Sequence, residues 1–143
     1  MGTIEVTVYT SVWPTERMEK VVSAIENIFP GLIMDIRGDR IDAYNGPDAL
    51  KVFHFLLRKQ QILDTARSVM LRGRSGDSFQ FQLNKQAALM GIVSFPPLEE
   101  PLGSIHVQIT GGDCAIDWLA PVTENGVPVK EIDLFGQLEA SDV

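Results

Sequence analysis

The chain has 143 residues, of which 45% are hydrophobic and 22% are charged, and its formal net charge is −7. This size and composition predict one globular domain with a single core. The acidic balance argues against a protein wrapped in nucleic acid, because phosphate binding is usually driven by a basic surface. We find no signal-peptide pattern and no apolar stretch long enough for a membrane span. The lone Cys114 fits a reducing compartment, and we expect a cytoplasmic protein.

The first third of the chain predicts a strand, a helix and a hairpin. Apolar and polar residues alternate over residues 3–10, which is typical of a strand with one buried face. Apolar residues then recur at helical spacing from Pro14 or Thr15 to about residue 29, where a Pro-Gly pair ends the helix. Residues 32–37 and 40–45 have the pattern of two short strands around a Gly-Asp turn.

The longest helical pattern covers residues 48–71. Its apolar positions keep helical spacing except across residues 58–61, where we expect a bend or a break. The opposite side of the pattern carries polar and basic side chains at steps of three and four, which would form one row on a continuous helix. The row comprises Lys51, His54, Arg58, Gln61, Thr65, Ser68 and Arg72.

The second half of the chain predicts mainly short strands. A clear alternating pattern at 79–83 stops at the polar triplet Asn84-Lys85-Gln86, and we predict that Asn84 caps a short turn over 84–91. Glycine and proline residues separate the later segments and limit their length. We predict strands at 92–95, 104–110 and 114–119, and a small hairpin within 122–130 around Asn125-Gly126.

Together these elements predict an α+β fold. A mostly antiparallel sheet should lay one face against two or three helices, so that both layers share the core. A single domain over 1–143 accommodates every element. We expect residues 136–143 to form a loose acidic tail.

Positive charge is concentrated in residues 58–85, which we call the basic island. It carries six basic and two acidic residues, whereas residues 86–143 carry nine acids and one lysine. Such a segment is either ordinary solvated surface or a surface for phosphates, and the second suits recognition of RNA by shape. Phe79 and Phe81 are expected in the core, so no exposed stacking platform for single strands is visible. The predicted RNA-binding residues are Arg58, Lys59, Arg67, Arg72, Arg74, Lys85 and Gln86.

No group of residues indicates catalysis or metal binding. His54 lies on the polar side of a predicted helix and His106 lies within a predicted strand, and neither has a partner at metal-ligand spacing. The glycine-rich segment 73–76 lacks the lysine of a phosphate loop and follows a helix where that loop follows a strand. We therefore expect a protein that is not an enzyme and that has no cofactor and no metal.

Five separated motifs, in order, resemble those of one family. The chain is similar, over residues 3 to about 132, to a family of small, uncharacterised archaeal proteins that are predicted to bind RNA or to be exosome subunits. The motifs are V-W-P-T-E at 12–16, I-L-D-T-A-R at 62–67, L-N-K-Q-A-A at 83–88 followed by Gly91, P-L-G-x-I at 101–105, and D-W-L-A-P-x-T-x-x-G at 117–126.

The resemblance implies a fold similar to that of the large-subunit ribosomal protein that binds 5S ribosomal RNA. It implies no catalytic residues, and the motif positions that carry over are Arg67, Lys85 and Gln86. We predict a non-catalytic RNA-binding or ribonucleoprotein-associated protein, with the exosome as one predicted assembly. The alternative is a protein-interaction or structural module, for which a homodimer is one form, whose acidic carboxy-terminal third docks on a basic partner.

Overall fold

An antiparallel sheet of six strands forms the centre of the protein. The structure, a computed structural model, describes residues 4–96, 104–125, 127–129 and 131, so the predicted tail at 136–143 lies outside the described residues. In chain order the strands are β1 (Glu5–Ser11), β2 (Ile33–Arg37), β3 (Arg40–Asn45), β4 (Arg74–Ser75), β5 (Ser78–Asn84) and β6 (Ser104–Thr110). Their spatial order is β2-β3-β1-β6-β5-β4, and all neighbours are antiparallel.

Five α-helices lie in the described part of the chain. They are α1 (Met18–Ile28), α2 (Lys51–Lys59), α3 (Leu63–Arg72), α4 (Lys85–Leu89) and α5 (Gly112–Leu119). A short 3-10 helix, Pro47–Leu50, leads into α2. Among the described residues, no helix has the length and apolar character that crossing a membrane requires.

The buried residues of the helices join those of one sheet face in a single core. The predicted α+β fold with an antiparallel sheet is therefore confirmed, with more helices than the two or three expected. The similarity to the 5S-RNA-binding ribosomal protein stays a prediction.

Alternation along the strands determines which face of the sheet is buried. Phe79, Phe81 and Leu83 of β5 are buried, whereas Gln80 and Gln82 between them lie on the opposite face. Strands β1 and β6 show the same alternation. On the opposite face, the side chains of these three strands are exposed or half-buried except for Ser104, and we call this side of the sheet the open face.

The predicted break in the long helical segment is confirmed. Helix α2 ends at Lys59 and α3 begins at Leu63. Between them Gln61 has a φ of 57°, a left-handed conformation that a continuous helix does not contain. The predicted row of polar and basic side chains is therefore divided between two helices.

Two predicted strands are wrong. Residues 114–119 belong to α5, whose buried residues recur at helical spacing, because a short apolar run does not by itself distinguish a buried helix from a strand. Residues 92–95 form no strand. In that segment the Ser94 carbonyl accepts a hydrogen bond from the Asn84 N–H at 2.8 Å.

Two hairpins contain very short strands. The glycine-rich segment after α3 contains β4, and Gly73 approaches Gln80 so closely that a Cβ at position 73 would lie 2.0 Å from the Gln80 carbonyl oxygen. Only glycine fits there. The predicted small hairpin is confirmed as β7 (Thr123–Glu124) pairing with β8 (Val127–Pro128), with Asn125 at a φ of 55°.

Candidate functional site

Arg58, the first residue of the basic island, joins α2 to the end of α5. Its guanidinium donates hydrogen bonds to the carbonyls of Trp118 and Leu119 and pairs with the Glu131 carboxylate at 2.6 Å. The hydrogen bond from Arg58 holds the pKa of Glu131 below its ordinary value. With 21% of its side chain exposed, Arg58 already has partners within the chain for its charge.

Arg67 makes a similar connection between α3 and α5. Its Nη1 lies 2.9 Å from the Asp117 carboxylate and 3.0 Å from the Ala120 carbonyl oxygen. Nearby, the Thr123 hydroxyl donates a hydrogen bond to the Asp64 carboxylate. Two of the motifs, at 62–67 and 117–126, are therefore in direct contact.

Lys85 is a buried cation that connects two further motifs. Its Nζ donates to the Ser11 carbonyl at 2.8 Å and to the Glu16 carboxylate at 2.9 Å, and the residue is 5% exposed. Glu16 also accepts the Trp13 N–H at 2.9 Å. Asn84 caps α4 by accepting the Ala87 N–H, as predicted. The polar triplet thus begins a helix and fixes it to the turn before α1.

The other predicted RNA-binding residues are exposed and lie on different elements. Lys59 ends α2, Arg72 ends α3, Arg74 lies on β4 and Gln86 on α4. The structure therefore separates the seven predicted residues into three that are buried or half-buried, Arg58, Arg67 and Lys85, and four that are exposed. RNA binding by each of them stays a prediction.

A small cavity adjoins Lys85. It has a volume of about 260 Å³ and lies between the start of α1 and α4, where Arg17, Lys20 and Gln86 also line it. Nothing in the sequence indicated that Arg17 or Lys20 would lie near Lys85. Because Glu16 in the same lining already pairs with Lys85, the cavity contains one ion pair and two further cations.

A stack of three side chains stands on the open face. Tyr9 of β1 and His106 of β6 are cross-strand partners, and their parallel rings have centroids 4.7 Å apart. The Arg40 guanidinium carbon lies 4.9 Å from the centroid of the Tyr9 ring, which is a cation-π contact, and Arg40 also pairs with Asp42. Burial and the nearby Arg40 charge lower the pKa of His106, which favours the neutral form of its ring.

A groove of about 790 Å³ adjoins this stack and extends past the edge of β5 to α3. Along β5, the Gln80 N–H bonds to the Gly73 carbonyl and the Asn84 N–H bonds to the Ser94 carbonyl. Between these two contacts no other strand of the described residues pairs with the outer edge of β5. The groove is lined there by Tyr9, Gln80, Gln82 and His106 of the sheet, by Arg72 of α3, and by Phe95.

The stacked pair is not evident in the sequence, in which no exposed stacking platform is visible. Phe79 and Phe81 are in the core, as expected. The platform comes from Tyr9 and His106, which are distant in sequence. One signal was available: each occupies a polar-face position of a strongly alternating strand, where an aromatic ring must be partly exposed.

The described residues define an α+β protein whose sheet packs against helices on one side and borders a groove on the other. A family model described as RNA binding matches residues 5–110. A UPF0201 protein of Thermococcus onnurineus is 41% identical over 88% of this chain and 98% of its own length. One of Methanosarcina acetivorans is 38% identical over 92% of this chain and 93% of its own length. The chain belongs to this UPF0201 family of archaeal proteins.

A solved structure agrees with this assignment. The UPF0201 protein from Methanococcus jannaschii superposes with a TM-score of 0.80 at 34% identity, over 88% of this chain and 99% of that one. A UPF0200/UPF0201 protein of Archaeoglobus fulgidus is 40% identical over 91% of this chain, and the chain spans 41% of that relative's length.

Proposed function

We propose that this protein is a non-catalytic, single-stranded RNA-binding protein and that RNA lies in the groove between the open face and α3. The observation that carries the proposal is the meeting of the Tyr9 and His106 rings with Arg72 in one groove of about 790 Å³. The match to a family model described as RNA binding supports the ligand class. Ribonucleoprotein or exosome association stays a prediction.

The aromatic rings at the groove are suited to base stacking. A neutral imidazole and a phenol ring offer the flat, sequence-tolerant surface on which unpaired bases stack. Tyr9 already has His106 on one side and Arg40 near its ring. On the side of His106 toward β5, its cross-strand neighbour is Gln82, which lines the groove. We place a base against His106 at this position.

The groove also carries hydrogen-bonding groups and a positive charge. Gln80 and Gln82 carry amides that both donate and accept, and such groups bind the edges of unpaired bases. Arg72 is exposed on the far wall, where its guanidinium suits a phosphate. The volume is within the range of pockets for small ligands, which corresponds to one or two nucleotides. This arrangement favours single strands over the duplex shape recognition that the basic island suggested.

The test is fluorescence anisotropy with labelled single-stranded RNA, a hairpin RNA and single-stranded DNA at low salt. We expect single-stranded RNA to bind, and Tyr9→Ala with His106→Ala to weaken binding about tenfold or more, because stacking contributes about 1–3 kcal/mol per base. Arg72→Glu should also weaken binding. Lys59→Glu is the matched control, because it makes the same charge change on an exposed residue outside the groove lining.

Two results would contradict the proposal. Failure of every RNA to bind at low salt would remove RNA as the ligand. Equal losses for Lys59→Glu and Arg72→Glu, with no effect of the ring substitutions, would place the RNA on the basic island instead. The alternative function, docking of the acidic third on a basic partner, also stays a prediction, although Asp117 and Glu131 already have arginine partners within the chain.

A further inference from the structure

The outer edge of β2 is the feature that carries an inference independent of RNA. Strand β2 is the last strand on its side of the sheet, and in the part of the chain that the structure describes it pairs only with β3. The pairing is regular over all five residues, with no bulge. Natural edge strands are usually protected by proline, charged side chains or a bulge, and β2, I-M-D-I-R, carries one charge of each sign, Asp35 and Arg37.

Apolar side chains are exposed along this edge. Ile33 is 52% exposed on one side of the strand and Ile36 is 49% exposed on the other. Tyr44, the partner of Ile33 on β3, is 53% exposed. An edge that no other described strand pairs with, and that exposes isoleucines, is suited to pairing with another strand.

Charge identifies the strand that fits. Asp35 and Arg37 are both exposed on the open face and lie 2.8 Å apart. If two copies of β2 pair antiparallel about a two-fold axis at Ile36, Asp35 of each copy faces Arg37 of the other and the two Ile36 side chains meet. An axis at Asp35 would instead bring two carboxylates together next to Asp42, which Asp35 already faces on β3, and this is unfavourable. We propose that this chain forms a weak homodimer through β2 in the register centred on Ile36.

The geometry also determines the strength and the consequence of this contact. A ladder of a few residues buries little surface, and interfaces below about 1,200 Å² belong to transient complexes. The dimer would be one continuous sheet of twelve strands, twice the six of one chain. Because β2 and β5 lie toward opposite sides of the sheet, the grooves remain accessible in the dimer and the two proposals fail independently.

The experiment is sedimentation velocity of the full chain from micromolar to millimolar concentration. We expect the weight-average mass to rise from 15.8 kDa toward twice that value as the concentration increases. Asp35→Arg and Arg37→Asp should each stay at the monomer mass, because residues 35 and 37 that face each other across the two-fold axis are then of like sign. A one-to-one mixture of the two variants should regain association, because every facing pair is then of opposite sign.

Fold integrity is checked by circular dichroism and thermal melting of each variant. Both side chains are well exposed, at 77% for Arg37 and 47% for Asp35, so the variants should fold. A second readout needs no variant: the β2 amides of the unmodified chain should exchange more slowly with solvent at higher concentration. A mass of 15.8 kDa at every concentration, or a mixture that behaves like its separate components, would overturn the proposal.

Discussion

His54 is a half-buried imidazole whose environment makes it a pH-dependent element of stability. Its ring stacks on Trp118 with centroids 4.5 Å apart. Burial, together with the nearby Arg58 charge, lowers the pKa of His54 from 6.5 to about 4, while Glu131 acts weakly in the other direction. The sequence suggested a surface histidine, because the partner Trp118 is distant along the chain.

We predict that His54 makes the protein less stable as the pH falls from 6.5 toward 4. In this window the unfolded chain binds the proton and the folded chain does not, so protonation favours unfolding. His54→Phe retains a stacked ring and removes the titration. Between pH 6.5 and about 5 the variant should lose less stability than the parent, by about 1 kcal/mol after allowing for solvent screening.

Urea unfolding of both proteins at several pH values measures this difference. His106, whose pKa is also lowered, is present in both proteins, so its contribution cancels in the comparison. Parallel stability curves for the parent and the variant would show that His54 titrates normally in the folded state.

Lys85 determines how helix α4 is held against the rest of the fold. Lys85→Met keeps most of the aliphatic chain but leaves the Glu16 carboxylate and the Ser11 carbonyl without their common donor. We expect a loss of about 2 kcal/mol in the free energy of unfolding, as is typical for hydrogen bonds to a buried charge. Lys59→Met, on an exposed position, should change it by less than about 0.5 kcal/mol. Denaturant unfolding measures both, and equal effects would contradict the role of Lys85 as a buried connection.

Most elements of the fold follow from local pattern. Alternation is strong in β1, β5 and β6 because one face of each is buried, and the break near Gln61 follows from the lost apolar spacing. Helix α5 was predicted as a strand because its run of small and apolar residues is too short for periodicity to decide. What distinguishes the two forms is the tertiary contact of α5 with α2 and α3.

The candidate site was harder to predict than the fold. The charges of Arg58, Arg67 and Lys85 are plain in the sequence, but their carboxylate partners come from distant segments, and a count of charges does not reveal pairing. The groove is likewise lined by residues from segments that are distant in sequence. Tyr9 and His106 become neighbours only because β1 and β6 are adjacent in the sheet.

At the scale of the whole molecule, the uneven charge along the chain is partly balanced in three dimensions. The basic island meets the acidic carboxy-terminal third through Arg58 with Glu131 and Arg67 with Asp117. The net charge of the chain is −7, and Arg58, Arg67 and Lys85 of the basic island are already paired with carboxylates of the same chain. RNA in the proposed groove would therefore bind mainly by stacking and hydrogen bonding, with few phosphate contacts.

This distribution predicts a shallow salt dependence of RNA binding. The slope of log K against log salt is about −0.7 per phosphate contact for single strands, so the proposed groove, whose lining has one arginine, Arg72, should give a slope of about −0.7. Phosphate contacts from all six basic side chains of the basic island would give a slope of about −4. Anisotropy titrations of single-stranded RNA across a range of salt concentrations measure the slope. Salt also screens the repulsion between RNA and the acidic surface, so the slope should be shallower still. A steep slope would contradict binding in the groove.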